Sequence, residues 1–270
     1  MDQLEKAAPA RVWAKGGDRP VLALHCSLAH SGAWAGLAEA LNGVTTTAID
    51  LPGHGRAPDW DGASDIHGLA TELAAAWAER LGQGQPIDLM GHSFGGTVAL
   101  RLAIERPDLV RSLTLFEPVY FVAAKLAGDP TYPPFDISHA LIAERIAEGK
   151  SRLAVEEFLV DWGGGERFED LPERMQAYIL QRIPLVVAQN PVLLDDSPQL
   201  LAPGRLEGLR CPILMVEGSN SPPIISAIYR ALAPRLPQLR RHVEPGAGHM
   251  VMITHAQPLA PGVQAHLEAC

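Results

Sequence analysis

Short apolar runs alternate with longer amphipathic stretches along most of this chain. "RPVLALHC" (19–26), "TTTAIDL" (45–51), "PIDLMG" (86–91), "SLTLFEP" (112–118), "CPILMVEG" (211–218) and "LRRHVEPG" (239–246) each predict a buried strand ending in a loop. Between several of them, apolar positions recur at helical spacing, in "SDIHGLATELAAAWAERLG", "GGTVALRLAIERP", "PPIISAIYRALAPRLP" and the closing "APGVQAHLEAC". A β, α, β, α rhythm of this kind implies an α/β fold, with a mostly parallel sheet covered by helices on both faces.

The rhythm breaks between Val119 and Arg205. There "DISHALIAERIAEGK", "SRLAVEEFLVDW" and "EDLPERMQAYILQRI" read as helices, and "PLVVA" is an ambiguous strand candidate before the Pro-rich "DDSPQLLAPGRLEG". The predicted division is a core of residues 1–118 and 206–270, with residues 119–205 as a helical cap insertion. That insertion holds 8 of the 15 aromatic residues: Tyr120, Phe121, Tyr132, Phe135, Phe158, Trp162, Phe168 and Tyr178. Such a group serves either as the insertion's own small core or as the lining of an apolar pocket.

Composition narrows the classes without naming a chemistry. The 270 residues suffice for one large α/β domain, and 47% hydrophobic with 20% charged residues is ordinary for a soluble protein. No apolar run reaches the roughly 18 residues of a membrane span. The start, "MDQLEKAAPARVWAKGG", lacks the apolar h-region of a secretory signal, so a cytoplasmic location is the expectation. Cys26, Cys211 and Cys270 are odd in number and widely spaced, which suggests reduced thiols and neither a disulfide framework nor a zinc site. A net charge of −9, with no basic cluster beyond Arg240-Arg241, argues against a nucleic-acid partner. With neither a ligand cluster nor a phosphate-binding glycine loop, no metal or cofactor is expected.

The chemistry enters at "IDLMGHSFGGTVALRLA", residues 87–103. Gly91-His92-Ser93-Phe94-Gly95 fits G-x-S-x-G, directly after a strand candidate and directly before a helix candidate. That context is the one a nucleophile elbow requires, since a sharp strand-to-helix turn leaves no room for side chains beside the serine. Ser93 is therefore the candidate nucleophile, and the N–H of Phe94, the residue after it, is one candidate oxyanion donor.

At these residues the chain resembles the α/β-hydrolase superfamily, over nearly its whole length and in the family's order. The matching pieces are "LALHCSLAHSGAW" in place of the usual His-Gly loop after the family's third strand, "DLPGHGRA" after the fourth and "GHSFGG" at the elbow. "PDLVRSLTLFEP" runs into the sixth strand, "CPILMVEG" is the seventh, and "VEPGAGHM" precedes the last helix. The likeness is to small capped hydrolases of the esterase and lactonase kind, and it implies the cap to be inserted after the sixth strand. It further implies that His249, in "GAGHM", is the general base, while His25 and His54 brace their loops and His92 points away from the serine. His30, His67, His139, His242, His255 and His266 have no motif context and are expected on the surface or in packing.

The third member departs from the pattern. The family's usual Asp follows the seventh strand, but here that strand ends "MVEGSNSPP", with Ser221 at the place of the Asp. Some members carry the carboxylate at the end of the sixth strand instead, which makes Glu117, in "LTLFEPV", the candidate acid. A carboxylate after so apolar a run also needs a partner. Glu217 is the main rival, with Asp195 and Asp196 behind it, and a dyad without an acid is a further option. By resemblance the second oxyanion donor is Ser27, beside Cys26 where the family has glycine. The thiol of Cys26 is itself a minor nucleophile candidate with no base assigned to it.

The resulting expectation is a cofactor-free serine hydrolase, carboxylesterase-like, acting on a moderately apolar small-molecule ester or lactone, with no membrane or nucleic-acid partner. Amidase, thioesterase, C–C bond hydrolase and perhydrolase reactions use the same parts. A weakly catalytic ligand-binding protein is the alternative from another class.

Overall fold

The computed structural model of the protein describes residues 2–270 and carries a seven-stranded sheet. In chain order the strands are β1 (Ala10–Ala14), β2 (Arg19–Leu24), β3 (Val44–Ile49), β4 (Ile87–His92), β5 (Val110–Phe116), β6 (Ile213–Gly218) and β7 (Leu239–Glu244). They lie side by side as β1-β3-β2-β4-β5-β6-β7, with β1 antiparallel to β3 and every other pair parallel. The five inner strands are buried along most of their length because both faces are covered, even β3 with its three threonines.

Alternation sorts the strand residues into two cores. Leu22, Leu24, Leu89, Leu113 and Leu115 face Trp77, Phe94, Val98 and Ile228, carried by helices Ile66–Gly82, Phe94–Glu105 and Pro223–Leu232. On the opposite face Val21, Ala23, Met90, Phe116 and Val216 meet Trp34, Leu37, Val251 and Leu259, from the 3-10 turn Ser31–Trp34, the helix Ala35–Ala40 and the C-terminal helices Val251–Thr254 and Ala256–Glu268. The six strands read from the sequence all form, but β7, expected to be buried, is an edge strand and only Glu244 of it is buried. β1 was not foreseen: it is an edge strand whose residues are exposed or half-buried, Val12 among the exposed, so it leaves no buried run to read.

Between β5 and β6 the chain forms helices only, at Phe121–Leu126, Tyr132–Ala147, Ser151–Trp162, Glu173–Arg182, Pro184–Ala188 and Asn190–Leu193, besides one short 3-10 turn. "PLVVA" is thus a helix and not a strand, with Pro184 at its first turn, where a missing N–H costs nothing. The aromatics do not all serve the insertion's own core. Phe168 packs with Ile142, Val155, Ile179 and Ile183 in a core of the insertion's own, whereas Phe121, Phe135 and Trp162 join the main core beneath. Among the described residues no helix is long and apolar enough to cross a membrane.

Candidate active site

The elbow follows from three close approaches. A Cβ on Gly91 would stand 2.3 Å from the Gly95 carbonyl oxygen, and one on Gly95 would stand 2.3 Å from that of Leu24 and 2.5 Å from that of His25. Neither position admits a side chain, so β4 can turn into the next helix only with glycine on both sides of Ser93. Ser93 itself takes φ 55° and ψ −117°, a conformation that costs of order 1–3 kcal/mol and persists only where its surroundings enforce it. Its N–H donates to the Phe116 carbonyl at 2.9 Å, which prolongs the β4–β5 ladder by one bond and holds the strained residue at the sheet's C-terminal edge.

Three side chains converge there from three strand ends. His249, on the loop between β7 and the helix Val251–Thr254, has Nε2 3.0 Å from Ser93 Oγ and Nδ1 2.6 Å from Glu117 Oε2. A carboxylate accepts, so Nδ1 carries the proton and Nε2 is left as the basic nitrogen facing the serine. Ser93 is 6% exposed, His249 4% and Glu117 0%, a group shut off from bulk water. Trp162 closes one side, its rings 4.7 Å from the His249 imidazole and nearly perpendicular to it. Phe121, Phe135 and His139 continue the aromatic wall, with ring separations from 4.1 Å to 5.8 Å.

Glu117 lies one residue beyond β5, its N–H still bonded to the Val216 carbonyl, and it takes a positive φ of 47°. Besides His249, its carboxylate accepts from the Gly218 N–H at 2.6 Å and from the Ser221 hydroxyl. A buried carboxylate with three donors is fully satisfied. Ser221, where the usual Asp is missing, thus serves the glutamate that stands next to it in space.

The rival carboxylates point elsewhere. Glu217 pairs with Arg241 and accepts from Ser226 Oγ at 2.7 Å. Asp195 lies 3.7 Å from Lys125, and Asp196 accepts from the Tyr120 hydroxyl and from the N–H groups of Leu200 and Leu201. Burial pushes the Cys26 thiol up to about 12, so it stays protonated and is no nucleophile near neutral pH.

The two donor positions sit beside the elbow. Phe94 opens a helix, and its N–H is among those that have no intrahelical acceptor, while its ring turns inward onto His67. Ser27 belongs to the loop whose His25 carbonyl lies against Gly95, and its hydroxyl donates to Gln189 Oε1 at 2.9 Å.

The neighbouring histidines act as braces. His25 Nε2 accepts from the Leu51 N–H at 3.0 Å, and His54 stands edge-on to it at 5.2 Å. His92 does more than turn away from the serine: its Nε2 donates to the His249 carbonyl at 2.9 Å and steadies that loop from below. Burial drives all three down, His25 to about 4 and His54 and His92 to about 3, so they are neutral at pH 7. Among the described residues no group of three or more His, Cys, Asp or Glu side chains is gathered to hold a metal ion. Sequence reasoning missed Gln189 and the part played by Ser221, and left Trp162 among eight aromatics without placing it against His249. Only Ser221 had a local signal, its place in the loop after β6.

Known proteins share this arrangement of chain. A family model described as the alpha/beta hydrolase family matches residues 21–261. A pimeloyl-[acyl-carrier protein] methyl ester esterase of Neisseria meningitidis is 28% identical over 228 residues, 79% of each chain. Lipase LipV of Mycobacterium tuberculosis matches more locally, 41% identical over 102 residues, 38% of each chain. Among solved structures, a thermophilic esterase from Thermogutta terrifontis superposes with a TM-score of 0.71 at 22% identity, over 97% of this chain and 94% of that one.

Proposed function

The chain belongs to the alpha/beta hydrolase family and is an esterase-like hydrolase, and from that premise we propose that it cleaves a carboxylic ester through an acyl-enzyme on Ser93. The observation that carries this reading is the continuous hydrogen-bonded line from Ser93 Oγ through His249 to Glu117. A serine hydroxyl attacks an acyl carbon only if a base takes its proton as the bond forms. His249 Nε2 is that base, and Glu117 holds the imidazole in the required tautomer and stabilises its cation.

Ser93 Oγ adds to the ester carbonyl carbon while its proton passes to Nε2. The N–H groups of Phe94 and Ser27 receive the negative oxygen of the tetrahedral intermediate. As that intermediate collapses, the bond to the alcohol oxygen breaks and the proton on Nε2 goes to the leaving alcohol. Water then gives its proton to Nε2 and adds to the acyl carbon; as this second intermediate collapses the bond from the acyl carbon to Ser93 Oγ breaks, the proton on Nε2 returns to Oγ, and the acid leaves. Every step is proton and electron-pair traffic among these groups, so the proposal needs no cofactor.

The substrate reading is a moderately apolar acyl group with a small alcohol. Phe121, Phe135 and Trp162 support the apolar part, and the methyl ester named for the Neisseria relative supports the small alcohol. A lactone presents the same carbonyl and is turned over by the same steps. The test is hydrolysis of short and medium-chain p-nitrophenyl esters by the wild type and Ser93→Ala, with labelling by a serine-directed fluorophosphonate. The wild type is expected to turn over and to gain one label, and Ser93→Ala to do neither. Equal turnover by the two proteins, or a label elsewhere, contradicts the assignment.

A further inference from the structure

The loop that carries Ser27 is held by two different bodies. Its ends belong to the core: His25 accepts from the Leu51 N–H, and the Ser31 N–H donates to Asp50, whose carboxylate also holds the Arg56 N–H. Its middle, residues 27–29, is tied to the helical insertion. The Ser27 hydroxyl donates to Gln189 at 2.9 Å, and the Tyr178 hydroxyl donates to the Ala29 carbonyl at 2.7 Å while accepting from the Gly55 N–H at 2.8 Å. Between those two anchors Leu28 takes φ 61° and packs against the insertion's own apolar core. A left-handed leucine is a conformation the chain does not prefer; the Ala29 N–H bond to the Cys26 carbonyl, long at 3.3 Å, closes the turn around it, and the contacts with the insertion add to that hold.

We propose that Tyr178 and Gln189 are positioning residues which set the Ser27 N–H for the oxyanion only when the helical insertion sits on the core. The proposal rests on the serine-hydrolase reading above. Ser93 and His249 are almost wholly covered, so substrate reaches them when the insertion moves. That movement breaks the Gln189 and Tyr178 bonds and withdraws the pocket around Leu28, which leaves residues 27–29 held by the single Ala29–Cys26 turn bond. Closure over a bound ester restores them, and the second oxyanion donor is assembled in the same motion that excludes water. Phe94 needs no such help, because its N–H is fixed by the elbow.

The experiment compares wild type, Tyr178→Phe, Gln189→Leu and the double variant on p-nitrophenyl butyrate, with active sites counted by phosphonate titration so that misfolded protein drops out. Loss of one oxyanion donor lowers kcat by 10²- to 10³-fold, so disordering one should cost about 10-fold for each single variant and about 100-fold for both. KM should stay within about 2-fold. The second readout is a trifluoromethyl ketone, whose carbonyl takes Ser93 Oγ to form a hemiketal oxyanion as the serine proton passes to His249. Its Ki should rise by the same factor as kcat/KM falls. Raised KM at unchanged kcat, or lower kcat at unchanged Ki, overturns the proposal. Variants that match an active wild type sink the positioning role alone. A wild type that neither hydrolyses the ester nor takes the phosphonate sinks the serine-hydrolase reading, and this proposal with it.

Discussion

Two neighbouring strand ends each bury a glutamate and put it to different use. At the end of β5, Glu117 sits just past the last ladder residue with positive φ, and its carboxylate meets His249, the Gly218 N–H and Ser221. At the end of β6, Glu217 is still within the strand, and its carboxylate is taken up by Arg241 of β7 and Ser226 of the following helix. Both are nearly inaccessible, at 0% and 3%. Burial and residue type therefore do not separate them. The difference is the partner: an arginine, which is always charged, at Glu217, and at Glu117 an imidazole, which under the reading proposed above takes up the serine proton.

The comparison can be broken by moving the acid back. In a Glu117→Gln background, Ser221→Asp places a carboxylate at the family's commoner position, next to the side chain that now lacks one. Recovery of about 10- to 100-fold in kcat over Glu117→Gln alone is expected, a fraction of the roughly 10⁴-fold that a lost triad carboxylate costs. No recovery would mean that the loop after β6 cannot reach His249. Ser221→Ala sharpens the comparison in a gentler way. It removes one of three donors to Glu117, and kcat should fall about 3- to 10-fold, since a bond to a charged group contributes roughly 1.5–3 kcal/mol, only part of which reaches the transition state. An unchanged kcat would make Ser221 a bystander.

The braces under the site predict an acid sensitivity that neither glutamate causes. His25, His54, His67 and His92 are held near 3–4 by burial, well below an ordinary histidine near 6.5. Below about pH 6.5 the unfolded chain takes up protons that the fold refuses. Stability is therefore full above that value and is lost as the pH falls toward 4. Each histidine contributes at most about 1.4 kcal/mol per pH unit in that window. The melting temperature should begin to fall between pH 6.5 and 5, before carboxylates titrate. A flat profile down to pH 5 would contradict the buried neutral histidines.

What the sequence made legible were the features whose causes are local. The elbow needs its glycines within two residues of Ser93, and the inner strands need mostly apolar or β-branched residues to bury both faces, so both can be read from the chain. Glu117 could be singled out because Ser221 occupies a place where an acid is usual. β1 was hidden by its exposed edge position. Trp162, Tyr178 and Gln189 act across separations of 87, 149 and 162 residues, as seen in their contacts with His249, Ala29 and Ser27, and no spacing rule covers such pairs. The carbonyl bond from His92 to His249 was hidden for the same reason, since the chain between them crosses the whole insertion.

The central claim is that the Ser93–His249 pair is completed from the end of β5 and not from that of β6. The direct measurement is kcat on p-nitrophenyl butyrate for Glu117→Gln beside Glu217→Gln, per titrated active site. Glu117→Gln should lose about 10³- to 10⁴-fold. Glu217→Gln should stay within about 3-fold and lose instead about 1–2 kcal/mol of stability from its weakened pair with Arg241. The opposite pattern, with Glu217→Gln crippled and Glu117→Gln near the wild type, would contradict the account.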